Sequence, residues 1–374
     1  MLIYLGSSAL AVFLSSFVLL LCGVVSPIAA IHGVFALAVM PLIFGAITHF
    51  IPVLTRSDGA PPLVLWSPVL LQAAAVLLIL FFTGELGLEA LYVAAGLALA
   101  VAVLFSGWLL IKARRTLGKP HPCWFWYLAA IILLVLGLLL APAMYLWPLW
   151  RQAFRLLHLH LNTLGFIGLT AIATLQVLLP TVLSGPDAEA TRRLHQDFRL
   201  ALGGVLASSL GAALWWPLAV PGCSALLLVA GRLIRAWLTR YGWRLILADS
   251  ASAALLSALC GFVMCLAFGA AHAAGLLSGA HSVAAYIAAF LLPLVSGALS
   301  QLLPVWRYPG RVSEARKQMR LQLVAWGGLR GGLFFCAGLL LAFGVDSGFL
   351  LAMAGLLSFI WGLVCAKFIF RRSN

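Results

Sequence analysis

Carboxylates are scarce in this chain: nine Asp and Glu stand against 23 Lys and Arg among 374 residues. Charged residues of both signs make up only 9% of the sequence, where a soluble domain carries about 25%. That shortage excludes a water-soluble globular fold. Seven cysteines are scattered with no C-x-x-C pair, which excludes a zinc ribbon or a thioredoxin-type site. No C-x-x-C-H occurs either, so any haem would be held without a covalent link. The N-terminus lacks a basic n-region, and its apolar run is too long for a signal peptide. It reads as a retained first helix.

What is present is apolar surface: 64% of residues are hydrophobic and the mean hydropathy is +1.13. Windows of about 20 apolar residues predict twelve membrane helices, near 3–25, 28–54, 62–83, 90–111, 124–146, 150–182, 198–217, 219–238, 250–274, 279–305, 322–343 and 347–369. The predicted fold is therefore an all-α polytopic membrane protein, one membrane domain over 1–374. Its formal charge of +14 is assigned to basic loops, not to a nucleic-acid surface. The basic connections at 112–121, 190–199, 232–244 and 307–320 and the tail KFIFRRSN each follow an even-numbered span. The opposite connections, such as GELGLEA and GVDSG, are uncharged or acidic. Positive residues stay inside, so both termini are expected in the cytoplasm, with the chain in a bacterial inner membrane.

The chain also repeats. The segments at 31–54, 159–182 and 280–306 each have a histidine near the outer end, small residues in the middle and a proline near the inner end. Those prolines, Pro52, Pro180 and Pro304, are 128 and 124 residues apart, close to a third of the chain. Three parallel repeats of four spans follow, approximately 1–120, 121–245 and 246–374, related by a pseudo-threefold axis.

The candidate chemistry lies on spans 2, 6 and 10. His32, His158, His160 and His281 fall in or beside their first turns. An ionisable side chain in lipid is a functional candidate, and imidazole ligates haem iron and copper. A single interfacial histidine can equally cap a helix or bond a carbonyl; four on sister helices argue for a site. His158 and His160 are two residues apart, about 200° around a helix, so they face different neighbours. Gly165 and Gly168 follow where a flat group could approach the backbone. Arg151 and Arg155, flanked by Trp147 and Trp150, break the charge rule on the outer side. They fit either anionic propionates or an interfacial aromatic belt.

Other polar residues carry less. His49, Gln176 and Gln301 precede the repeat prolines and either satisfy a freed carbonyl or line an inner polar ring. Arg330 in GGLRGG either snorkels inward or marks a helix that starts later than drawn. Cys260, Met264, Cys265 and His272 do not form one helix face and read as core. His121 and His195 read as solvated loop residues.

Twelve spans in three four-helix arcs and the segment His158-Leu-His160-Leu-Asn-Thr-Leu-Gly resemble the haem–copper oxidase subunit I superfamily. The outer histidine plan also resembles the NnrS family of haem- and copper-containing membrane proteins linked to nitric oxide stress. The resemblance implies one or two b-type haems, with copper as a further metal. It implies electron transfer or the handling of nitric oxide or another small gas, fed by a quinol or a cytochrome. By this analogy His160 pairs with His281 while His158 faces span 2 and joins His32. The opposite pairing fits the spacing equally well. Arg151 and Arg155 would hold propionates, and Gly165 and Gly168 would admit the macrocycle. An alternative function is a haem or copper transporter or assembly factor for respiratory oxidases. There are departures. The His-x-His lies on span 6 where the oxidases carry it on span 10. There is no His-His copper pair, and Ala285 stands four residues after His281 where a tyrosine is expected. The only nearby acids, Glu85 and Glu89, are in a loop. An oxidoreductase activity is left open, but these departures argue against oxygen reduction by this chain alone.

Overall fold

A computed structural model describes residues 1–116, 118–277, 279 and 281–371, with side chains as far as 366. Leu117 in the fourth connection and the end of the basic tail lie outside the described residues. The described chain is helical, with no strand. Twelve helices are long and apolar enough to cross a membrane: Leu2–Leu21, Pro27–Leu54, Pro62–Phe82, Leu88–Arg114, Cys123–Leu146, Pro148–Leu183, Ala188–Leu214, Trp216–Ala248, Ser250–Ala273, Ser282–Arg307, Glu314–Ala342 and Ser347–Ala366. In a bilayer each backbone polar group must be satisfied within its own segment. Apolar runs of this length therefore leave the helix as the natural solution.

Three helix boundaries differ from the hydropathy reading. The seventh begins at Ala188, so the basic stretch at 190–199 forms its first turns instead of a loop. The eighth runs through the basic stretch to Ala248, broken only at Gly242, where φ is +74°. The eleventh is two pieces, Glu314–Val324 and Gly327–Ala342, separated by Trp326 in the left-handed region at φ 62°. Arg330 lies in the first turn after that break, so the later-starting helix is the correct reading. It is buried and donates to the carbonyl oxygens of Leu323, at 2.9 Å, and Ala325, at 3.2 Å. Those carbonyls belong to the end of the preceding piece, where intrahelical partners run out. The guanidinium also lies 4.8 Å over the Phe359 ring.

The contacts divide the chain into two compact units. One comprises Met1–Thr174 and Ala188–Leu226, the other Leu175–Asp187 and Leu227–Asn374. The first unit is centred on buried rings: Phe44 is 4.6 Å from Phe105 and 6.0 Å from Phe166. In the second, Phe290 is 5.1 Å from Phe262 and 5.0 Å from Tyr286.

The three sister spans share a distortion. Each opens into wide π-helical turns, directly after the histidine in Gly33–Val39 and Leu161–Leu169 and, past the α-turn Ser282–Tyr286, in Ile287–Leu291. In spans 2 and 10, Pro41 and Pro293 begin the next α segment. Neither has an N–H to close an α-turn. Span 6 has no such proline. There the side chains of Asn162 and Thr163 occupy the carbonyls of His158 and Leu159, at 2.6 and 2.7 Å. Side chains that compete for carbonyls in this way loosen a helix, and π-turns recur at functional sites.

Candidate metal centre

His32 and His158 meet in the first unit. Their ring centroids are 6.5 Å apart with planes 29° from parallel, and both rings are half-buried. The Nδ1 of His32 lies 2.8 Å from the Ile28 carbonyl oxygen, one turn back on its own helix. The Nδ1 of His158 lies 2.8 Å from the Gly137 carbonyl on the fifth span. A carbonyl oxygen can only accept, so each Nδ1 must carry the proton. Each Nε2 then keeps its lone pair. A ring N–H given to a carbonyl is the usual outer-shell support of a metal-ligating histidine. Two imidazoles in line on one metal, at metal–nitrogen distances of about 2.0 Å, would hold their centroids about 6.3 Å apart. The observed centroid separation of 6.5 Å is close to that spacing.

The surroundings are aromatic. The His32 ring is 4.5 Å from Phe82, Phe82 is 5.1 Å from Phe81, and Phe81 is 6.0 Å from Tyr145. Arg151 sits 5.0 Å over the Tyr145 ring, which links one of the two outer arginines to this group. Both Arg151 and Arg155 are exposed. Phe81, Phe82, Tyr145, Gly137 and Asn162 escaped the sequence reading. Only Asn162, an amide two residues past His160 in an apolar helix, carried a visible signal.

Gly165 and Gly168 are buried. The space beside Gly165 is already occupied: a Cβ there would meet Leu133 Cδ1 at 2.9 Å and Val205 Cγ1 at 3.4 Å. This glycine lets the fifth and sixth spans pack closely, so a macrocycle against it would require Leu133 to move. His160 turns its Nδ1 to its own helix, 2.8 Å from the Leu156 carbonyl. His281 belongs to the second unit, where its Nε2 lies 3.9 Å from an Asp346 carboxylate oxygen. Among the described residues, no three His, Cys, Asp or Glu side chains gather as a metal site, and Cys260, Cys265 and His272 form none.

The other polar candidates have local tasks. Gln301 Oε1 accepts from Arg320 Nε at 2.8 Å, and Arg320 Nη2 donates to Asp249 at 2.6 Å. Gln176 is buried, and the His49 ring meets Phe50 edge-on at 5.7 Å. His195 is exposed as expected, although its ring packs 5.3 Å from Phe125. His121 is not solvated: it is half-buried, and burial, then the nearby His195, holds its imidazole below the ordinary range.

Fold and hydropathy together define a multi-pass, all-α membrane protein that lives in a lipid bilayer. No protein-family model matches the chain, and no curated protein matches it by sequence.

Proposed function

We propose that this chain is a membrane redox protein of the bacterial inner membrane that carries b-type haem near the periplasmic face, with His32 and His158 as axial ligands. The observation that carries the reading is the imidazole pair, 6.5 Å apart with both Nδ1 protons engaged by carbonyls. Two imidazoles complete an iron whose other four positions come from a macrocycle. When bound, the group would supply one-electron chemistry, for electron transfer or for handling nitric oxide or another small gas. The chain's own residues orient and insulate. Ile28 and Gly137 fix the ring tautomers, and Phe81, Phe82 and Tyr145 keep one side apolar. Arg151, resting on Tyr145, offers a guanidinium for an anionic propionate. Copper as a further metal belongs to the same proposal.

The test is optical and metal analysis of the purified protein and of its single histidine variants. Wild-type protein is expected to show sharp reduced-haem bands in stoichiometric amount, lost in His32→Ala and in His158→Ala. Pigment that passes to an apo-acceptor would point to a haem or copper carrier instead. Protein free of iron and copper, or pigment unchanged in both variants, would sink the proposal.

A further inference from the structure

At the end of the first unit away from His32 and His158, the seventh span starts with a face of unspent donors. Leu194, Asp197 and Ala201 are buried. His195, Gln196 and Arg199, at positions i, i+1 and i+4, are exposed beside one another. The helix is pinned here by Trp126, whose Nε1 donates to the Leu194 carbonyl at 3.0 Å. Phe125 and Phe198, 4.7 Å apart and edge-on, meet the same face. Phe125, Phe198, His195, Gln196 and Arg199 line an open, shallow cavity of about 520 Å³.

The chemistry of the lining is one-sided. It has an apolar aromatic floor, a guanidinium, a side-chain amide, an imidazole and no carboxylate. Among the described residues, neither Arg199 nor Gln196 has a hydrogen bond or ion pair. Arg192, one turn before Gln196 on the same helix, is instead paired with Glu189 at 2.5 Å. Arg199 is the formal charge in this lining.

We propose that this cavity binds a phosphate-bearing anion, with Arg199, Gln196 and His195 on the phosphate oxygens and the Phe125–Phe198 floor under the rest of the ligand. The planar guanidinium fork matches phosphate oxygens, and the amide and imidazole add donors from the same helix turn. Two sources have this chemistry: an anionic phospholipid headgroup, and a soluble phosphate compound.

The experiment uses the full chain in phosphatidylcholine nanodiscs. One arm measures equilibrium binding of radiolabelled inorganic phosphate. The other adds phosphatidylglycerol and counts retained lipid by native mass spectrometry. Arg199→Gln and His195→Gln are compared with Arg192→Gln, and a matched size-exclusion profile establishes that each variant is folded. Saturable phosphate binding weakened about tenfold or more by Arg199→Gln, and unchanged by Arg192→Gln, supports the site with a soluble ligand. Retained phosphatidylglycerol lost in the same variant supports it with a lipid. The proposal is overturned if wild type and Arg199→Gln behave alike in both arms, or if Arg192→Gln weakens binding as much.

Discussion

The Gly137 carbonyl accepts the His158 Nδ1 proton at 2.8 Å, and the same glycine faces the Asn162 amide. A Cβ on residue 137 would stand 2.7 Å from Asn162 Nδ2, the atom that donates to the His158 carbonyl. One small residue on the fifth span therefore controls both the ring and the backbone of His158. It does so because close helix approach in membranes depends on small residues.

Gly137→Ala is expected to push Asn162 away and turn the His158 ring. Overpacking of this kind costs about 1–3 kcal/mol. A lower melting temperature is expected in a detergent thermal scan, together with weaker retention of the proposed haem. Gly96→Ala, where a Cβ meets open space, is expected to leave both unchanged. Equal behaviour of the two variants would refute the assignment.

Asp249 does two things at once. One carboxylate oxygen accepts from the backbone N–H groups of Ala251 and Ser252 at 3.0 and 3.1 Å, capping the ninth span. The other holds Arg320 at 2.6 Å, with the two side chains 23% and 29% exposed. Asp249→Asn keeps a capping oxygen and loses the charge, so only the ion-pair contribution is lost, about 0.2–1 kcal/mol. Asp249→Ala loses the cap as well, a further cost of about 1 kcal/mol. Thermal unfolding should rank wild type, Asp249→Asn and Asp249→Ala in that order; identical melting of the two variants would remove the cap from the account.

His121 supplies a pH dependence. Burial, then the neighbouring His195, lowers its folded-state pKa below the ordinary 6.5. The Cys123 N–H also donates to its Nδ1 at 3.4 Å, a bond that needs the unprotonated nitrogen. The unfolded chain thus binds the proton more readily than the folded one, and stability falls as pH drops. The contribution is whole above 6.5 and is lost as pH falls from there toward the folded-state value. The difference in melting temperature between wild type and His121→Gln should shift against wild type between about pH 7 and about pH 5. A constant difference across that window would contradict the buried, neutral ring.

Much of this was legible without coordinates. Apolar run length sufficed for the number of spans, because lipid leaves a long uncharged segment one conformation. The two-residue offset of His158 and His160 sufficed to send them to different neighbours, because helix geometry is local. The three spans that carry the repeat prolines each contain a π-helical stretch. The starts of the seventh and eleventh helices were misread because charge was treated as a loop signal. Arg192 pairs with Glu189 and Lys317 with Glu314, each on its own helix, so both tolerate helical positions.

Composition and periodicity settle which segments are helices and which side chains are chemically able to bind a metal, since both depend on residues close in the chain. The choice of His158 over His160 as the neighbour of His32, the Gly137 carbonyl that sets a tautomer, and the filling of the space at Gly165 by Leu133 were decided only by the folded chain. Each is a contact across at least 21 residues of sequence, and its geometry follows from how neighbouring helices rotate and pack, which no single helix encodes.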